Sequence, residues 1–380
     1  GNYANGSYDV GTGGGIYIKD IVGGRVSGCI VRGNVGQSSG GGMRLDQCGS
    51  ATYPLVVENC TIIGNRTVSR DWTGGSVAGG IYFTRGGGDG TGRGFVVIAN
   101  SLIQNNRAGT GSGIYASSYQ ANARLTIFGS LITGNYSLLN NGNANGIFAG
   151  TDFITIVANS TIADNTHPTQ PGQYGIYAQY GGWGLYGRIV FINSIMASNN
   201  KGMYDFRQSR SYGAAGAHID LLRSTTYETE YLQRDEGPYG GPYPNVTNQT
   251  ASTWSGALAF TNPGYHSRND SGTVTQNMEQ NLNESPGFSG KSPAPYSLVP
   301  SSNSRNSGLT LTGAGFTYVD VNYNGAYNAM VDIIVAGTPP AGRHLVYTTD
   351  LLGMPRVSDN VIDRGAYEYR PPRGTVVVVR

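Results

Sequence analysis

Seven times in its first 204 residues the chain sets a glycine before an apolar residue of the kind that packs inward, and then in six of the seven an aromatic. The copies are Gly15-Ile16-Tyr17, Gly42-Met43-Arg44, Gly80-Ile81-Tyr82, Gly113-Ile114-Tyr115, Gly146-Ile147-Phe148, Gly175-Ile176-Tyr177 and Gly202-Met203-Tyr204. Successive glycines lie 27, 38, 33, 33, 29 and 27 residues apart, so one supersecondary unit recurs with loops of elastic length. Such a unit cannot bury its apolar face alone. It does so by stacking on its neighbours, which is the arrangement of a solenoid.

A second block falls between those copies and aligns without gaps on a Cys or Ser: Cys29, Cys60, Ser101, Ser130, Ser160 and Ser194, with a weaker copy at Ser224. Asparagine follows five residues later at Asn34, Asn65, Asn106, Asn135 and Asn165, with Asn199 closing the series. Three short strands per repeat result. Alternate side chains of a strand point to opposite faces, which places Ile16, Ile81, Ile114, Ile147 and Ile176 inside and Tyr17, Arg44, Tyr82, Tyr115, Phe148, Tyr177 and Tyr204 outside. In the second block Val26, Val57, Ile98, Ile127, Val157 and Phe191 point inward, as do Val31, Ile62, Ile103, Ile132, Ile162 and Met196. The Gly or Asn before each Cys/Ser suits a sharp corner with left-handed backbone angles. Asn59, Asn100, Asn159 and Asn193 are expected to ladder along that corner, and Asn34 and its successors to mark a second one.

No 3.6-residue apolar stripe is sustained, and glycine reaches 60 of 380 residues, which argues against a helical array. The three strands per turn, the Gly-aliphatic-aromatic strand and the asparagine column resemble right-handed parallel β-helix proteins over about residues 14 to 224. The expected fold is an all-β, right-handed, single-stranded parallel β-helix of about seven coils over 1–224, followed by a loop-rich C-terminal region over 225–380. That fold hosts lyases, hydrolases, adhesins and passive stalks, and does not choose among them.

A formal charge of +2, with no basic run interleaved with aromatics, argues against nucleic acid as a partner. No apolar run is long enough to span a membrane. Three lysines, 26 tyrosines and an Asn/Ser/Thr-rich surface point to an extracellular or cell-surface setting. Cys29 and Cys60 hold equivalent places in adjacent coils and read as small core residues, with a disulfide as the alternative. Histidines 167, 218, 266 and 344 show no zinc-ligand spacing.

Beyond residue 225 the repeat fades into Pro/Gly/Tyr-rich sequence. Glu284 to Phe288 with Tyr296-Ser297-Leu298, and the pair Asp350 to Arg356 and Ile362 to Tyr369, resemble the end of secreted bacterial β-helix proteins with a choice-of-anchor C-terminal region. Ser285 stands where that pattern has an acid. The resemblance implies a surface or secreted protein and no reaction.

Between these stretches Asp320, Asn322, Asn324, Asn328 and Asp332 echo an oxygen-rich calcium loop, but Val331 holds the twelfth place, where a carboxylate is needed. The competing hairpin, within 316–335, turns at Asn324-Gly325 and pairs 318–323 with 326–331. It is the favoured alternative, and no cofactor is expected.

Uronate chemistry on such a rod needs carboxylates for calcium or acid/base work, or a Lys/Arg/Tyr set. The outward column holds no two carboxylates, so a calcium-dependent lyase is disfavoured. The candidate ligand-binding residues are Tyr17, Arg44, Tyr82, Tyr115, Phe148, Tyr177 and Tyr204, with Lys201 and Arg207. The column reads as a platform for a glycan or protein surface, or as a structural ladder roofed by loops. The chain therefore reads as a non-catalytic module for adhesion, assembly or glycan contact, with a polysaccharide lyase-like enzyme as the alternative. An upstream domain or another subunit is expected on the N-terminal face, and the 375–379 valine tail is expected to pair with a sheet edge.

Overall fold

The computed structural model describes backbone and side chains for residues 13–68, 76–85, 94–118, 123–138, 144–150, 153–166, 175–177, 189–197, 224, 285–290, 295–308, 310–321, 326–357 and 361–369. It describes backbone alone for strand residues at 3–4, 178, 188, 206–211, 218–222, 225–227, 230–236, 246–250, 282–283 and 358. Among these residues every regular element is a strand.

The first strands (Ile16–Lys19, Met43–Asp46, Ile81–Arg85, Ile114–Ser118, Ile147–Ala149, Ile176–Ala178, Phe206–Ser211 and Glu230–Glu236) stack in parallel as the first sheet. The strands from Gly24–Ser27 to His218–Leu222 form a second sheet, and those from Ile30–Arg32 to Leu282–Asn283 a third. The chain is a parallel β-solenoid. Its interior is built by the expected period-two columns: Ile81, Ile114, Ile147 and Ile176, Val57, Ile98, Ile127, Val157 and Phe191, and Ile62, Ile103, Ile132, Ile162 and Met196 are all fully buried. On the first turn, Ile16 and Val26 are only half-buried.

Two expectations need correction. A fourth strand follows the asparagine at Val35–Gly36, Arg66–Thr67, Arg107–Ala108 and Tyr136–Ser137, joined by Tyr3–Ala4 beside Val35–Gly36. Complete four-sided turns among the described residues accordingly number about four rather than seven, because counting copies of one strand motif does not count closed turns. The seventh motif copy is also out of register: Ile176 pairs with Phe206 and Tyr177 with Arg207, so Gly202-Met203-Tyr204 precedes the strand instead of forming it. Lys201 and Tyr204 lie outside the described residues.

The two corners exchange their expected roles. Asn34, Asn65, Asn106 and Asn135 each send a backbone N–H and a side-chain Nδ2 to the Oδ1 of the next asparagine, at 2.8–3.1 Å; Asn165 is the last described member, and Asn199 lies outside the described residues. This is the buried ladder. It also explains the repeated glycine: a Cβ at Gly80 would lie 2.4 Å from the Gly113 carbonyl oxygen and 3.1 Å from Asn106 Nδ2, so backbone and amide together exclude a side chain. At the other corner Asn59, Asn100, Asn159 and Asn193 do take positive φ, between 44° and 51°. Their amides do not form a continuous chain. Asn100 Nδ2 bonds Thr349 O and Asn159 Nδ2 bonds Asp363 O, so they pin the C-terminal segment, while Asn193 Nδ2 reaches its neighbour Asn159 at 3.5 Å. Inside that corner the serines form their own ladder, as Ser101 N donates to Ser130 Oγ and Ser130 N to Ser160 Oγ, both at 3.1 Å. Cys29 and Cys60 are free thiols.

The C-terminal segment covers two outer faces. Leu311–Gly313, Phe316–Val319, Ile333–Gly337 and Leu345–Val346 form a small mixed sheet. Its Val319, Ile333, Val335, Leu345 and Tyr347 share an apolar cluster with Val56 and Val97 of the second sheet. Over the third sheet, Tyr367 and Ala366 meet Leu131, and Leu298 meets Ala163 and Ile195. The hairpin exists with a different partner strand, since Val319 pairs with Ile333. The loop between them is stapled by Asp332, whose carboxylate accepts the Val321 and Asn328 N–H groups at 2.9 and 2.7 Å. Asp332 thus has a structural task; Asn322 and Asn324 lie outside the described residues. The Val376 to Val379 tail also lies outside them.

Candidate ligand-binding face

With the second and third sheets roofed, the outer face of the first sheet is where the predicted column can meet solvent. Registers place Tyr17, Arg44, Tyr82, Tyr115, Phe148, Tyr177 and Arg207 side by side on successive strands. At about 4.8 Å per strand, the stretch from Tyr17 to Tyr115 spans about 14 Å.

The Arg44 guanidinium sits between two rings, 5.5 Å from the Tyr17 centroid and 5.2 Å from that of Tyr82. Tyr82 stacks on Tyr115 at 5.5 Å and Tyr115 on Phe148 at 4.3 Å, while Phe148 meets Tyr177 edge-on at 5.2 Å. Each ring pair contributes about 0.5–1.5 kcal/mol. The rings ladder against one another, and their exposure changes along the column. Tyr17 is 47 % exposed and Tyr82 and Tyr115 are half-buried, whereas Phe148 and Tyr177 are buried with Ala144. The last two are ladder and not surface.

Asp46 and Ser39 complete the open end. Arg44 Nε donates to Asp46 Oδ2 and one terminal nitrogen to Ser39 Oγ, both at 2.8 Å, and the Tyr17 phenol donates to the same Asp46 oxygen at 2.9 Å. Asp46 was legible, two residues after Arg44 and so on the same strand face, but a search for paired carboxylates passes over a single one. Burial, the hydrogen bond to Asp46 and its charge push the Tyr17 phenol up to about 12. At neutral pH this phenol is a donor, and proton abstraction by it is disfavoured. The Arg44 guanidinium is thus held between two rings, a carboxylate and a hydroxyl.

Among the described residues no three His, Cys, Asp or Glu side chains gather as a metal site, and no helix is long and apolar enough to cross a membrane. Set against known proteins, the chain matches no family model, no curated protein and no solved structure.

Proposed function

We propose that this protein is a non-catalytic extracellular or cell-surface module that contacts glycans along the open end of the first sheet. The observation that supports it is the in-register run Tyr17, Arg44, Tyr82, Tyr115, partly exposed on a sheet face that the described part of the C-terminal segment does not cover. Aromatic faces and a held guanidinium suit sugar rings, acidic ones above all. A panel of neutral and acidic polysaccharides, scored for retention and for unsaturated products, tests this. Retention should fall about tenfold in Arg44→Gln and in Tyr82→Ala, the loss expected of one cation–π or stacking contact. Retention unaltered by both changes would refute the site, and release of unsaturated uronate would establish the lyase alternative.

Assembly is a second reading, favoured by the first turn. Ile16–Lys19, Gly24–Ser27 and Ile30–Arg32 end their sheets among the described residues, and Val22 and Ile30 are 55 % and 74 % exposed. An open parallel edge accepts a further coil or another subunit. A monomer by light scattering at all concentrations would count against another copy as the occupant.

A further inference from the structure

The C-terminal sheet overhangs the first two turns of the solenoid and leaves a cleft of about 700 Å³, within the range of small-molecule sites. Its walls are Val22 to Arg25 and Tyr53, Pro54 and Val56 on the solenoid side, with Met330 and Gly342 to Leu345 opposite. The solenoid wall is fixed by close approach: a Cβ at Gly23 would lie 2.4 Å from the Tyr53 carbonyl oxygen. The opposite wall is fixed by His344, whose Nδ1 meets the Tyr327 hydroxyl at 2.5 Å.

Two guanidinium groups line this space and differ in their charge balance. Arg25 is neutralised by Glu58 Oε1 at 2.6 Å. Arg343 lies over the Tyr53 ring, 4.8 Å from its centroid, and no carboxylate among the described residues pairs with it. His344 Nε2 is buried with no hydrogen-bond partner. Among the described residues the cleft thus carries one uncompensated positive charge, an aromatic wall, apolar patches from Pro54, Val56, Met330 and Leu345, and glycine backbone.

We infer that this cleft is a second binding site, separate from the aromatic column, for a singly charged carboxylate carried on a compact ring. The charge count selects a monoanion over a phosphate dianion, which would need a second free cation. The flat wall and apolar patches select a ring over a bare ion. A guanidinium already oriented on an aromatic face loses little freedom when it grips a carboxylate through two N–H groups.

Calorimetric titration of the whole chain with glucuronate, benzoate, glucose and inorganic phosphate tests the assignment. Glucuronate or benzoate should bind saturably, the better of the two identifying a sugar or an aromatic ring, and glucose and phosphate should bind at least about tenfold more weakly. Arg343→Gln and Tyr53→Leu should each weaken the carboxylate about tenfold. Arg107→Gln, a surface arginine stacked on Tyr136 away from the cleft, should leave it unchanged. Absence of carboxylate binding, equal affinity for phosphate, or full binding by a folded Arg343→Gln protein would overturn the proposal. None of these outcomes bears on the polysaccharide face, which is read by Arg44 and Tyr82.

Discussion

The Tyr347 phenol donates to Glu58 Oε2 at 3.0 Å, joining positions 289 residues apart. Glu58 stands on the outer face of the second sheet, where its other oxygen accepts from Arg25 at 2.6 Å and Ser27 at 3.2 Å. One buried acid therefore latches the C-terminal sheet to the first two turns. It also helps to hold the roof that forms the anion cleft.

Burial, then the Glu58 charge, raises the Tyr347 pKa above its ordinary value of 10.0. A phenol raised in the folded state holds its proton more tightly there. Its stabilisation is complete below pH 10 and is lost as pH climbs from there through the folded pKa. Tyr347→Phe should cost about 1–3 kcal/mol at pH 7, since it leaves Glu58 short of a donor. It should also make the fall in stability above pH 10 shallower, though not flat, because Tyr17 and Tyr367 are raised as well. Urea denaturation from pH 7 to 11 measures both effects, and an unchanged alkaline slope would remove Tyr347 as its source.

Ile114 and Tyr115 are sequence neighbours with opposite fates. Ile114 is fully buried between Ile81 and Ile147, whereas Tyr115 lies half-exposed in the outer stack. Ile114→Asp buries an unpaired charge and should cost more than about 4 kcal/mol, enough to prevent folding. Tyr115→Ala should cost about 1–3 kcal/mol from two lost ring contacts and leave the far-ultraviolet spectrum native. Similar losses from both would mean that the register is misassigned.

The two asparagine corners should respond differently to substitution. Asn106 accepts from Asn65 and donates to Ile62 O and Asn135, all in the core, so Asn106→Ala strands several buried polar groups and should cost about 3 kcal/mol or more. Asn59 is exposed and its φ is 51°, so it serves chiefly to turn the corner. Asn59→Gly should be nearly neutral, and Asn59→Ala should cost about 1–2 kcal/mol through left-handed backbone strain. Equal effects at 59 and 106, measured by denaturation, would contradict this division.

The interior was legible in the sequence because period-two alternation is strict wherever one face is buried, and stacking repeats the constraint at Ile81, Ile114 and Ile147. The roles of the asparagines were not. Asn100 and Asn106 are the same residue type at fixed offsets, and what separates them is a partner more than 200 residues away for Asn100 and one turn away for Asn106. Tyr204 and Arg207 show the same limit, since motif similarity favoured Tyr204 while strand pairing selects Arg207. The cleft was invisible for a related reason: Tyr53 and Arg343 meet only because the C-terminal sheet docks where it does.

The stretches Asp350 to Arg356 and Ile362 to Tyr369 form a buried clasp, and its centre yields the last prediction. Arg356 is fully buried, 5.1 Å from the Phe128 ring centroid and 3.8 Å from Glu368, with contacts to Asn100 and Gly365 O. Glu368 in turn accepts the Asp363 N–H at 2.9 Å, and its own N–H goes to Asp350 at 3.0 Å. Burial raises the Glu368 pKa well above its ordinary range, and the neighbouring arginine partly offsets this. Removing one member of a buried pair costs about 3–5 kcal/mol, because the other charge is left alone. Arg356→Met should show that loss at pH 8. With the arginine gone the Glu368 pKa rises further, and a carboxyl raised in the folded state contributes stability at low pH that disappears as pH rises through its folded pKa. The same variant should therefore be less damaged at pH 5 than at pH 8. Adding Glu368→Gln, which keeps the acceptor for Asp363 and removes the lone charge, should recover part of the loss at pH 8 and little at pH 5. An Arg356→Met penalty independent of pH, with no recovery in the double variant, would show that the guanidinium acts by packing on Phe128 alone.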